Sequence, residues 1–108
     1  MKHGPIALLD ENTPVVVVAT RMEGVYEKLV SNIQEVRARG ARTICLAEEG
    51  DDRITPYADV LIRLPAVPVL LQPLVAVVPL QLFACELVTL MGHDVDQPRN
   101  LAKSVTVE

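Results

Sequence analysis

Residues 14–19 read Pro14-Val15-Val16-Val17-Val18-Ala19, an unbroken β-branched run behind the turn residues Asn12 and Thr13. β-Branched side chains suit a pleated strand, and a run without polar alternation needs cover on both faces. That pattern belongs to a parallel sheet rather than to a half-wet antiparallel one. Working outward, a polar stretch, Thr20 to Gly24, leads into a helix predicted from about Val25 to Arg39. Its apolar residues Val25, Leu29, Ile33 and Val36 recur at helical spacing. Arg37 and Arg39 favour the negative end of the helix dipole, and Gly40 suits the residue just past the helix. A second strand follows over Ala41–Ala47, then an acidic loop, Glu48 to Asp52, read as solvated. A third strand spans Asp59–Leu64, and Pro65 ends it. The order strand, helix, strand, strand predicts the α/β class: a parallel sheet flanked by helices, built on a right-handed βαβ unit.

A long helix is expected from about Leu70 to Met91, with Pro73 near its start, Pro79 bending it and Gly92 at its end. Ala66 to Met91 is almost entirely apolar, which raises the question of a membrane span. Pro68, Pro73, Pro79, Gln72, Gln81 and Glu86 interrupt it, so the better reading is a helix buried inside protein. Gly92 to Glu108 has no amphipathic period and reads as an irregular tail, with turn residues at Asp94, Asp96, Pro98 and Asn100. Three parallel strands with two-sided apolar faces leave an edge uncovered, and the chain opens in a loop, Lys2-His3-Gly4-Pro5. Both features point to an incomplete domain with further material upstream.

The 108 residues allow one small domain. Half of them are apolar but only 3% aromatic, so the core must be built from Val, Leu, Ile and Ala. A net charge of −4 lacks the basic footprint of a nucleic-acid binder. Cys45 and Cys85 both lie in apolar runs and read as buried, reduced thiols. No CxxC or Cys/His cluster suggests a metal, and the start lacks the apolar stretch of a signal peptide. A cytoplasmic protein without nucleic-acid or membrane partners is expected.

Met1-Lys2-His3-Gly4-Pro5-Ile6-Ala7-Leu8 at one end and Asp94 to Glu108 (DVDQPRNLAKSVTVE) at the other resemble the glucosamine-6-phosphate synthases. Ser31 to Gly40 and Val78 to Leu82 are similar as well. The resemblance runs the length of the chain, and the ending is far more specific than a short glycine motif. It implies an SIS-like fold of the flavodoxin-like or Rossmann-like kind, with 1–91 a partial second SIS domain and 92–108 a tail at the sugar site. It also implies an enzyme that makes glucosamine 6-phosphate from fructose 6-phosphate and glutamine-derived ammonia, without a cofactor or a metal. The glutaminase domain, the first SIS domain, the phosphate-cradling Ser/Thr loops and the proton-shuttling glutamate of that family have no counterpart here.

Residue by residue, Lys103 matches the lysine that forms a Schiff base with the open-chain sugar. A primary amine is the side chain that condenses with a ketone, but its ordinary pKa of about 10.4 must fall for it to react. Without the resemblance Lys103 reads as a solvated lysine. His3 matches the histidine of sugar ring opening, which acts across a dimer on the neighbouring subunit's sugar, and imidazole chemistry suits that proton transfer. Its bland reading is a loop histidine bonded to backbone. Asn100, Ala102 and Ser104 belong to the tail segment that closes over the sugar. Arg99 is placed to pair with Asp94 or Asp96, and His93 reads as a helix-terminal cation. Expected partners are fructose 6-phosphate or glucosamine 6-phosphate, and a second copy or a complementing chain that supplies the missing domains. The alternative is a non-catalytic module of the SIS type that binds a sugar phosphate or a partner.

Overall fold

The computed structural model describes residues 4–20 and 24–97. They fall into two compact units that divide between Ala76 and Val77. The first holds a three-stranded sheet of β1 (Pro14–Ala19), β2 (Arg42–Glu48) and β3 (Val60–Leu64), in the order β1-β2-β3 and parallel throughout. Helix α1 (Tyr26–Arg37) connects β1 to β2, and a 3₁₀ segment, Asp52–Tyr57, connects β2 to β3. A second helix, α2 (Gln72–Leu90), follows β3 and continues through Pro79.

The valine run behaves as its chemistry dictates, but the most deeply covered strand is β2, which lies in the middle. Thr43, Cys45, Leu46 and Ala47 are all buried. Register sets the faces. Val17, Cys45 and Leu61 form one row across the sheet, and Ala19 sits beside Ala47. This face packs on Leu29 and Ile33 of α1 and on Ile54, Tyr57 and Ala58 of the second connection. Burying Ile33 and Ile54 contributes about 1.5–3 kcal/mol each. On the other face Leu46 and Leu64 are buried, but Val18 and Val60 remain exposed.

Of the four residues in the expected α1 stripe, Ile33 and Val36 are buried and Val25 is exposed at the helix start. The helix ends in short-range turns, with Arg39 N–H donating to Val36 O and Gly40 N–H to Arg37 O. Gly40 then takes φ +83°, a left-handed conformation that glycine adopts without a Cβ penalty.

A polar knot ties the amino-terminal edge of the sheet together. Thr43 N–H donates to Asp59 Oδ2 at 2.7 Å. The Thr43 hydroxyl lies 2.9 Å from both Asp59 Oδ2 and Tyr57 O. Arg37, at the end of α1, donates to Tyr57 O at 2.9 Å and reaches Asp59 Oδ1 at 3.3 Å. Thr43 and Arg37 thereby tie β2 and α1 to the segment that leads into β3. These bonds hold the Asp59 carboxyl below its ordinary range, the Thr43 N–H first and its hydroxyl second.

Three expectations change. The acidic loop is only partly solvated: Asp51 is buried because it caps the 3₁₀ segment through Arg53 N–H and holds the Arg53 guanidinium. Cys45 is buried, and loss of hydration raises its thiol pKa, but Cys85 is exposed. Helix α2 is expected to be buried, but only 6% of its most apolar window is. By length and composition alone, Val69–Leu90 meets the requirement for a membrane span. Leu82, Leu87 and Leu90 on this helix are exposed.

Candidate functional site

In open parallel sheets, ligands gather at the carboxyl ends of the strands, where loops and helix starts converge. Here that edge is formed by Ala19 and Thr20 after β1, Glu48 at the end of β2, and Leu64 and Pro65 after β3. With Gln72 and Val75 of α2 they line a small cleft, about 10 Å³, enough for roughly one water. Gln72 is buried, and its amide Nε2 donates to Glu48 Oε2 at 3.3 Å. That contact ties the start of α2 to the end of β2.

Beside the cleft lies a network of charged clamps. Arg63 on β3 donates to Glu48 O at 3.2 Å and to Asp51 O at 2.8 Å. Its other nitrogen donates to Asp52 Oδ1 at 2.7 Å and reaches Thr55 Oγ1 at 3.4 Å. Arg53 grips Asp51 through two nitrogens, at 2.9 and 3.2 Å, which raises the guanidinium pKa further. The same guanidinium stacks 4.0 Å from the centroid of the Tyr26 ring, in the first turn of α1. Burial first, and the Asp51 charge second, push the Tyr26 phenol pKa up. Among the described residues, Tyr26 Oη is buried without a hydrogen-bond partner.

A larger cleft of about 140 Å³ lies at the opposite, amino-terminal edge, lined by Pro14, Arg42, Thr43, Ile44, Asp59 and Val60. Its polar groups include the Thr43–Asp59 knot, whose hydrogen bonds are already made. Neither cleft reaches the ~300–1,000 Å³ of a small-molecule site. At the carboxyl edge the described residues make a wall of a site, shaped by clamps, rather than an enclosed pocket.

His3, Asn100, Ala102, Lys103, Ser104 and Arg99 lie outside the described residues. His93 is described: its backbone N–H closes the end of α2 on Val88 O, beside Gly92 N–H on Thr89 O. Beyond it, Asp94 Oδ1 accepts from the N–H groups of Asp96 and Gln97, a turn of the kind expected for this stretch. Sequence reading missed Asp51, Arg53, Arg63, Gln72 and Tyr26. Only Asp51 carried a local signal, an Asp two residues before Arg53 that can accept its N–H in a turn. The remaining contacts are set by the β2–β3 register and the path of the second connection.

A parallel α/β layer of this kind belongs to the Rossmann-like, flavodoxin-like class, whose ligands gather at the carboxyl edge. Residues 1–91 match the SIS domain family, and the chain belongs to it. Over its full length the chain is 68% identical to the glutamine–fructose-6-phosphate aminotransferase (isomerizing) of Streptomyces coelicolor and covers 18% of that protein. The enzyme of the same name from Thermus thermophilus is 63% identical, again with all of this chain and 18% of the relative covered. A solved structure, the C-terminal domain of glucosamine-fructose-6-phosphate aminotransferase from Francisella tularensis, superposes with a TM-score of 0.77 at 35% identity. The match takes in 89% of this chain and 27% of that one. The chain thus spans 18% of the length of these curated relatives.

Proposed function

We propose that the chain is the carboxy-terminal part of the sugar-isomerising region of a glutamine–fructose-6-phosphate aminotransferase, the enzyme that makes glucosamine 6-phosphate. The observation that carries this reading is the 68% identity over the whole chain to an enzyme of that name. On this reading residues 1–91 are the closing portion of the second SIS domain, and 92–108 are a tail that meets the sugar. The Lys103 amine, once deprotonated, adds to the ketone of open-chain fructose 6-phosphate and loses water to form a Schiff base. His3 moves the proton at the ring oxygen during opening, across a dimer, on the neighbouring subunit's sugar. Asn100, Ala102 and Ser104 shape the tail around the substrate. The protein acts in the cytoplasm as a dimer, and the 108 residues alone do not turn over.

The test combines this chain with a segment of the Streptomyces coelicolor relative that ends where the match begins. With fructose 6-phosphate and borohydride, peptide mapping should find the hexitol adduct on Lys103, and Lys103→Arg should abolish it. A label on another residue, no label at all, or glucosamine 6-phosphate made by the isolated chain from fructose 6-phosphate and ammonia would refute the reading.

A further inference from the structure

A 3₁₀ turn, Pro5–Leu8, precedes β1, and none of its residues is buried; Leu8 is 80% exposed. Core packing therefore does little to hold it. Inside the turn, Ala7 N–H donates to Gly4 O at 3.0 Å. Toward β1, Asp10 Oδ1 accepts from Asn12 N–H at 3.0 Å and from the Thr13 hydroxyl at 2.7 Å, which closes the bend into the strand. One hydrogen bond among the described residues ties the turn to the rest of the fold: Arg39 Nη1, just past α1, donates to Ile6 O at 3.5 Å. Beside Arg39, Gly40 lies against Glu11, where an added Cβ would stand 3.7 Å from Glu11 N. The two arginines of this helix end thus serve different neighbours. Arg37 holds the segment before β3, and Arg39 holds the turn before β1.

From this we infer that Arg39 is a positioning residue for sugar ring opening: through the Ile6 carbonyl it sets where the His3 imidazole is carried. The inference rests on the role given to His3 under the proposed function. His3 stands three residues before Ile6, a span of at most about 10 Å, so the Ile6 anchor limits how far the imidazole can stray. Ring opening breaks the bond between the anomeric carbon and the ring oxygen. The ring oxygen gains a proton, the anomeric hydroxyl loses one, and a ketone results. Such a transfer needs the imidazole within hydrogen-bond reach, about 2.6–3.2 Å, and a misplacement of about 1 Å is enough to slow it strongly.

The experiment uses the enzyme reconstituted from this chain and the Streptomyces coelicolor segment. The Schiff base needs the open ketone, so the initial rate of borohydride labelling at Lys103, after cyclic fructose 6-phosphate is added, reads ring opening. Arg39→Ala, His3→Ala and the double variant complete a cycle. Arg39 is exposed, so alanine there opens no cavity and the fold should hold, which circular dichroism checks. The expected result is a loss of about 100-fold for His3→Ala and about tenfold for Arg39→Ala. The double variant should be slower than His3→Ala alone by no more than about twofold. A residue that merely stabilised the fold would lower the rate by the same factor in both backgrounds. Equal factors in the two backgrounds, or a loss under about twofold for Arg39→Ala, would overturn the inference and leave the proposed function standing. Labelling at the parent rate in His3→Ala overturns the role of His3 and the inference with it. An enzyme that never labels refutes the proposed function, and the positioning role of Arg39 goes with it.

Discussion

Thr43→Val should destabilise the first unit by about 1–2 kcal/mol, and the loss should fade in acid. Valine keeps the shape of a side chain that is fully buried, so no cavity opens. What disappears is a hydroxyl 2.9 Å from both Asp59 Oδ2 and Tyr57 O. A hydrogen bond to a charged group contributes about 1.5–3 kcal/mol. The lower end applies here, because Asp59 keeps the Thr43 N–H at 2.7 Å and Arg37 at 3.3 Å, and its side chain is 35% exposed to water. Tyr57 O likewise keeps Arg37 at 2.9 Å. For a chain of this size the melting temperature should fall by about 4–8 °C per kcal/mol. The pH dependence identifies the cause. Asp59 titrates below its ordinary 3.8 in the folded protein, so its contribution is present above that value and is lost as pH falls through the folded pKa. Removing the hydroxyl moves the folded pKa back toward 3.8, and the stability gap between wild type and variant should therefore narrow below about pH 4. Urea melts at pH 7, 4 and 3 measure this directly. A gap under about 0.3 kcal/mol at neutral pH, or one that stays constant with pH, would refute the account.

Ile54→Ala, at a fully buried site in the core cluster, should cost about 2–5 kcal/mol in urea unfolding, with the second connection loosening first by hydrogen exchange. Gly40→Ala should cost about 1 kcal/mol through its φ of +83° alone, because an added Cβ would meet Glu11 atoms at ordinary distances of 3.7–3.8 Å. Gly40→Asn should cost less, since asparagine tolerates that conformation, and equal losses in the two variants would point to crowding instead. In native protein at pH 8, one thiol should react quickly with a disulfide reagent and one slowly. Mapping should assign the fast one to exposed Cys85 and the slow one to buried Cys45, whose pKa is raised.

The strands and helices were legible because local chemistry determines them. The valine run, the α1 stripe and Gly40 each name their element from a few neighbouring residues, and the structure places β1, α1 and β2 within a few residues of the expected limits. Burial was less legible. Cys45 and Cys85 sit in equally apolar surroundings along the chain, but one is buried on the central strand under α1 and the other is exposed on α2. Composition reports what a segment needs, whereas burial depends on which neighbour is present to supply it. The acidic run illustrates the reverse case. Four carboxylates in five residues look like a wet loop, but Asp51 is drawn inside by Arg53, a residue whose role emerges only once the chain turns. Of the candidate site, the family-matched residues were legible by resemblance; the Arg63 and Gln72 contacts at the carboxyl edge were not, because their partners lie 8 to 24 residues away along the chain.

Those clamps also constrain where the chemistry resides. A side chain that binds or attacks a substrate must exchange partners during turnover. Arg63 is committed to two backbone carbonyls, Asp52 and Thr55, and Arg53 to Asp51 and the Tyr26 ring. Freeing either guanidinium would break these hydrogen bonds, each worth about 0.5–3 kcal/mol depending on the charge of the acceptor. Such residues fix the carboxyl edge as a rigid wall and are poorly suited to reacting. The proposed division of labour follows the same economy, with the sheet unit supplying a stiff frame and the reactive amine and imidazole carried at the two ends of the chain. Arg63→Lys separates frame from chemistry in the reconstituted enzyme. A single ammonium cannot span all four acceptors, so thermal stability should drop while borohydride labelling of Lys103 persists. Loss of labelling in a variant that remains folded would instead place Arg63 among the groups that touch the sugar.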